Sequence, residues 1–252
     1  MGIYQFLPSY VGSKKQWVER LRQDYSNSEI VEPFCGSSVL SANLATTAIL
    51  NDNDKYIYLI LSQFDQLIVP DRFTKEDYFN VRPKADWWKY AYCLQKMSFS
   101  GVFRYSRNGY NVPIKPNIPF VELRESYEIA LKRWRELSPE VLNQDYLSIE
   151  SEKIKNKLLI LDPPYETSQA SYNTKFDYPR YWQFVQEMKE VASAIILFDK
   201  QENLLKQNIP TCGNRNMRVN GKRAGSVESI AIFRNGKWQE YLGTPTEGLE
   251  GI

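Results

Sequence analysis

Histidine is absent from the 252-residue chain. That removes Ser-His-Asp and Cys-His triads and every metal site built on imidazole. Catalysis near neutral pH is left to carboxylates, tyrosine, lysine, cysteine or backbone polarity. Cysteine is scarce. Cys35, Cys93 and Cys212 are odd in number and scattered, which argues against a disulfide framework and for a reducing, cytoplasmic setting. No run approaches the roughly 18 uncharged apolar residues that span a bilayer. Residues 1–17 lack a basic segment followed by an apolar one, so no secretory signal is expected. Gly2 is not followed by a Ser or Thr at position 6, so no myristoylation is expected. The net charge is only +2. A nucleic-acid surface would therefore have to come from local clustering.

Hydrophobic residues make up 42% and charged residues 25% of the chain. These are the proportions of a globular protein, here one large domain or a domain with an insertion. Residues 28–45 read as strand, turn and helix. Ile30 and Val31 favour a strand, Gly36 a turn, and Val39, Leu40 and Leu44 share a helical face. Residues 48–54 (AILNDND) read as a second strand ending in acids, so a β-α-β unit and a parallel sheet are expected.

From about 61 to 144 aromatic and charged residues mix. Helical spacing appears at 85–97 and 121–137, around a loop or hairpin at 100–119. Strand texture returns at 158–162 and 193–199, with a helix over 181–192 between them. The Asn235-Gly236 pair between alternating runs predicts a hairpin. The expected fold is α/β: a doubly wound, Rossmann-like sheet with an antiparallel C-terminal hairpin. Residues 1–60 and 145–252 form its two parts, and 61–144 a mainly helical insertion carrying a hairpin loop.

Three expected strands end in polar signatures: Glu32-Pro33-Phe34-Cys35-Gly36, Asp52-Asn53 and Asp162-Pro163-Pro164-Tyr165. Ligands of an open α/β sheet bind beyond the carboxyl ends of its strands, so one crevice should collect all three. Gly36 would let a ligand approach the backbone. A carboxylate after the second strand suits ribose hydroxyls.

The ordered set resembles the amino-methyltransferases with a D-P-P-Y motif, and most closely the DNA adenine methylase (Dam) family. YVGSK (10–14) is similar to the family's W/Y-x-G-x-K segment. EPFCGSS (32–38) resembles its glycine loop and LNDND (50–54) its acidic turn. RYSRNGYNVP (104–113) resembles its target-recognition hairpin, and NQDYLSI (143–149) its G-D-F segment. Residues 220–233 resemble its closing stretch. The resemblance covers most of the chain and keeps the family's order.

The resemblance implies methyl transfer from S-adenosylmethionine to adenine N6 in double-stranded DNA, leaving S-adenosylhomocysteine, with no metal. Asp162, Pro163, Pro164 and Tyr165 would be catalytic. Asp162 and the Pro163 carbonyl would accept from the amino group, and Tyr165 would stack on a flipped base. The cofactor would be held by Tyr10, Gly12, Lys14, Glu32, Pro33, Phe34, Cys35, Gly36, Ser37, Ser38, Asp52, Asn53, Asp145, Tyr146 and Asp162. Phe34 and Tyr146 also suit ordinary core positions. DNA would be read by Arg104, Ser106, Arg107, Asn108, Asn111 and Lys115. Arg215, Arg218, Lys222 and Arg223 suit phosphate neutralisation or a solvated loop equally.

A monomer in solution is expected, with more than one copy able to occupy DNA in a bacterial or phage-infected cell. The chain departs from the family pattern at Ser38, where a second glycine is usual, and within the recognition hairpin. Alternative readings are another acceptor (cytosine N4 or RNA adenine) and a non-catalytic DNA-binding relative.

Overall fold

The computed structural model describes residues 2–10, 12–98, 101, 105–106, 109–110, 114–115, 117–164, 176–219 and 222–240 (backbone alone at 105–106, 109–110, 216–219 and 222–226). The chain opens with α1 (Val18–Tyr25), β1 (Ser28–Glu32), α2 (Val39–Leu44) and β2 (Ala45–Asn51). β1 and β2 pair in parallel, as the β-α-β reading expects, although β2 begins three residues earlier than 48.

There follow α3 (Lys55–Ser62), β3 (Phe73–Thr74), α4 (Lys75–Val81), α5 (Ala91–Met97), the hairpin of β4 (Tyr105–Ser106) and β5 (Gly109–Tyr110), β6 (Phe120–Val121), α6 (Arg124–Leu137) and β7 (Glu140–Leu142). α4 starts on a capping box. The Asp77 amide donates to Thr74 Oγ1 at 3.2 Å, and the Thr74 amide donates to Asp77 Oδ2 at 2.8 Å. Two expected helices begin later than their periodicity suggests. The first turn of 85–97 is a 3-10 helix, Trp87–Tyr90. Phe120 and Val121 pair with β3, so α6 cannot begin at 121.

The remaining elements are α7 (Ser151–Ile154), β8 (Leu158–Leu161), α8 (Tyr178–Met188), β9 (Ala194–Lys200), α9 (Gln201–Lys206), β10 (Gly213–Val219), β11 (Lys222–Arg234) and β12 (Lys237–Trp238). α8 starts three residues before 181. Asp177 caps it by accepting from the Arg180 amide at 3.1 Å, and Pro179 sits in its first turn, where a missing N–H costs nothing. The β11–β12 hairpin turns on Asn235 and Gly236, with φ +53° and +74°, as the Asn-Gly signal implies.

The large sheet has the order β10-β11-β9-β8-β1-β2-β7, with β12 on β11. The run from β9 to β7 is parallel, and β11 and β10 are antiparallel additions. This is an α/β fold on a mixed, mainly parallel sheet. β7, within the expected insertion, belongs to this sheet by pairing with β2. Alternation along the strands divides the core between two faces. Ile30, Leu158, Ile160, Ile196 and Phe198 pack on one face. Val31, Leu159, Leu161, Ile195 and Leu197 pack on the other, under α8. Each such fully buried side chain contributes about 1.5–3 kcal/mol relative to exposure. The strand ends are therefore rigidly placed. The order reverses between β1 and β8, so the switch-point crevice opens at Glu32 and Asp162. Among the described residues no helix is long and apolar enough to cross a membrane.

Candidate active site

Beyond the ends of β1 and β8 lies a crevice that encloses about 30 Å³, on the order of one water. Its walls bring together Tyr10, Gly12 and Lys14 from the N-terminal segment and Glu32, Phe34 and Cys35 from the end of β1. Gly36, Ser37 and Asp162 complete the expected residues that line it, with Ser13, Val39, Leu40 and Ile160 beside them. Gly36 has φ +45°, and a Cβ there would come within 2.8 Å of the Tyr10 ring. Only glycine fits both the dihedral and the space.

Lys14 is the centre of the charge arrangement. Its ammonium donates to the Gly12 carbonyl at 2.8 Å and lies 2.7 Å from Asp162 Oδ2 and 3.3 Å from Glu228 Oε1. Its side chain is 5% exposed, that of Asp162 27%. Burial pulls the Lys14 pKa down, but Asp162 and Glu228 outweigh burial and hold it above the usual lysine value. For Asp162 burial wins: its pKa is pushed up to about 6, with Lys14 as the chief opposing influence. At pH 7.5 the pair is largely ionised.

Glu32 is different. Its Oε1 accepts from the Ser41 amide at 3.3 Å, while its buried Oε2 has no hydrogen-bond partner among the described residues. Burial raises its pKa to about 8. Asp52 follows β2. Its Oδ2 accepts from the Gly36 amide and its Oδ1 from the Asp54 amide, both at 2.9 Å. It thereby ties the glycine loop to the next strand. Burial raises its pKa to about 6 against those two bonds.

Asp52 and the remaining expected residues stand outside the crevice walls. Ser38 lies behind them at φ +51°, a left-handed conformation that explains the glycine usual there. Pro33 is buried and its carbonyl accepts from Asn51. Asn53 is exposed. Asp145 is exposed and caps a 3-10 turn by accepting from the Leu147 amide at 2.9 Å. Tyr146 is buried among Phe34, Phe176, Tyr181 and Phe184, so its core reading is met, and burial pushes its pKa up to about 12. Pro163 is buried and Pro164 half-buried, and the Tyr178 hydroxyl donates to the Pro164 carbonyl. Lys115 donates to the Lys96 carbonyl at 3.0 Å, in the last turn of α5. Tyr165, Arg104, Arg107, Asn108 and Asn111 lie outside the described residues, as does the side chain of Ser106.

Sequence reasoning missed three contributors. Asn51 is fully buried. Its amide donates to the Pro33 carbonyl at 2.9 Å and the Gln144 carbonyl at 3.0 Å, pinning the approach to Asp145 against the end of β1. It stood within LNDND, where a polar residue at a strand end was the only signal. Glu228 stood within residues 220–233, the stretch that resembles the family's closing motif, and Tyr178 carried no local signal.

The site fits S-adenosylmethionine by its donor set. Lys14 supplies a cation for a carboxylate. The buried Glu32 Oε2 is a polar atom that a ligand group could satisfy, as acceptor when ionised and as donor when protonated. Gly36 permits close approach to the backbone.

Residues 10–193, more than half of the chain, match the family model for D12 class N6 adenine-specific DNA methyltransferases. No curated protein matches the chain. Solved structures similar to it include a Haemophilus influenzae protein provisionally described as a methylase, with 12% identity, a TM-score of 0.42, and coverage of 90% of this chain and 96% of that one. A Pyrococcus horikoshii protein provisionally described as an RNA methyltransferase has 10% identity, a TM-score of 0.41, and coverage of 95% and 89%. An rRNA methyltransferase from Streptomyces viridochromogenes has 10% identity, a TM-score of 0.40, and coverage of 89% and 88%. Likenesses this distant decide nothing about substrate; the strand order carries the fold.

Proposed function

Because the chain belongs to the D12 class of N6 adenine-specific DNA methyltransferases, we propose that it methylates the N6 amino group of adenine in duplex DNA. The observation that carries this reading is the Asp162 carboxylate, held part-open at the switch point beside two prolines and a cation-bearing crevice.

S-adenosylmethionine supplies the methyl group as a sulfonium electrophile and leaves as a neutral sulfide. Lys14 meets its carboxylate, Glu32 and Gly36 to Ser38 surround its methionine end, and Asp52 takes ribose hydroxyls. Asp145 and Tyr146 serve its adenine. The target N6 is a poor nucleophile because its lone pair is delocalised into the ring. Asp162 accepts one N6–H and the Pro163 carbonyl the other, which turns the lone pair out of conjugation. Pro163 and Pro164 fix the backbone, and Tyr178 holds the Pro164 carbonyl in place. The base must leave the duplex to reach them, and Tyr165 stacks on it. The N–C bond would form as the S–C bond breaks, and one N6 proton would then be lost to water, so the work is alignment and electrostatics. Of residues 61–144, the part before β7 serves target recognition, with Arg104, Ser106, Arg107, Asn108, Asn111 and Lys115 toward DNA. Residues 1–60 and 145–252, with β7, form the catalytic part.

Tritium transfer from labelled S-adenosylmethionine to plasmid DNA, followed by nucleoside analysis, tests this reading. Label in N6-methyladenine is expected. Label in N4-methylcytosine, label in RNA alone, or no transfer overturns it.

A further inference from the structure

Lys14 has a closed side and an open side. On the closed side are the Gly12 carbonyl at 2.8 Å, Glu228 Oε1 at 3.3 Å and the ring of Phe198, 5.4 Å from ammonium to centroid. Glu228 sits on β11, where it pairs with Lys200 of β9 and Arg215 of β10. Its other oxygen accepts from Trp17 Nε1 and Gln16 Nε2, each at 3.4 Å, and lies 3.9 Å from Arg215 Nη1. Its side chain is 6% exposed. Asp162 is the open side, and the ammonium covers its Oδ2.

This arrangement poses a conflict that rests on the proposed function. Lys14 at 2.7 Å takes one lone-pair position of Asp162 Oδ2 and draws on the carboxylate's charge, so Asp162 is a weaker acceptor for an amino group while that contact lasts. A lysine reserved for a cofactor carboxylate gains nothing from a second buried anion, which weakens its attraction for that carboxylate. A fixed second anion does serve a lysine that must give up its first partner.

We propose that Glu228 is a positioning residue: it anchors the Lys14 ammonium so that the carboxylate of the methyl donor displaces Asp162 from it, freeing Asp162 to accept the target base. Donor binding then precedes productive base binding. Without the donor, Lys14 keeps its hold on Asp162 Oδ2 and Asp162 remains the weaker acceptor. The anchoring group comes from the antiparallel extension of the sheet, more than 200 residues from Lys14.

S-adenosylhomocysteine tests this without turnover. The Lys14 ammonium resonance, assigned by its loss in Lys14→Arg, is followed by NMR of lysine-labelled protein as the analogue is added, and affinity is measured by calorimetry. In the wild type the resonance shifts on saturation as Asp162 is exchanged for the analogue's carboxylate. Glu228→Gln keeps the analogue Kd within about threefold but lowers kcat about tenfold without raising the KM for S-adenosylmethionine. Glu228→Asp, which keeps a carboxylate, recovers most of kcat. The proposal is overturned if the analogue binds without moving the resonance. It is also overturned if Glu228→Gln raises KM and Kd while sparing kcat, the pattern of a plain pocket wall. Should Glu228→Gln fail to fold, the wild-type shift and Glu228→Asp still decide. Analogue binding and resonance shift without transfer to DNA would remove the adenine reading and leave the Lys14 exchange standing.

Discussion

Carboxylates at the strand ends and carboxylates on the outer surface behave as different chemical groups in this molecule. Glu32, Asp52 and Asp162 lie at the carboxyl ends of β1, β2 and β8, and burial raises the pKa of each. Glu140 on β7 pairs with Lys153, and Glu152 with Lys155, in solvent. Both regions use the same residue types and similar ion-pair geometry. What differs is water. Exposed pairs are screened and contribute at most about 1 kcal/mol. A buried charge without its partner costs several kcal/mol. The chain thus concentrates its electrostatic energy at the crevice.

The largest break in that contrast comes from Asp162→Ala. Removing an acceptor aimed at the reacting group should lower kcat by about 10²–10³ or more with the fold kept, read by tritium transfer and circular dichroism. Next is Lys14→Met, which leaves Asp162 and Glu228 without their shared cation. Destabilisation of about 3 kcal/mol is expected at pH 8. It should shrink at pH 5, where the stranded acids take up protons; urea melts at the two pH values check this.

Glu32→Gln sharpens the contrast through pH. The folded pKa of Glu32, about 8, lies above its unfolded value of 4.5. Its contribution to stability is therefore full below 4.5 and lost as pH rises through 8. Glu32→Gln should flatten that fall, and at pH 8.5 the variant should be more stable than wild type by roughly 2 kcal/mol or more. Urea titrations from pH 5 to 8.5 measure the slope. The smallest effect belongs to the surface. Glu140→Gln should change stability by less than about 0.5 kcal/mol and leave activity unaltered. A loss comparable to that of Lys14→Met would erase the distinction.

Much of this was legible along the chain, for local reasons. Asp162-Pro163-Pro164 ends β8 at Leu161, because proline removes a donor and holds φ. Gly36 marked a turn, and its φ of +45° bears this out. Asn235-Gly236 marked a hairpin. Helix starts were less legible. The periodicity at 121–137 and 181–192 could not register the pairing of Phe120–Val121 with β3 or the Asp177 cap. Ser38 reads as an anomaly in sequence, and its left-handed backbone shows what the usual glycine relieves.

Periodicity, turn chemistry and strand-end residues are properties of neighbours along the chain. They sufficed for the α/β class, the first β-α-β unit and the identity of the carboxylates around the crevice. They were silent on the meeting of Lys14 with Asp162 and Glu228, on Asn51 as a pin, and on which acids lose their water. Those depend on what packs against each group from distant segments. Desolvation acts through space, so a carboxylate's charge state follows from the folded sheet and not from the residues beside it.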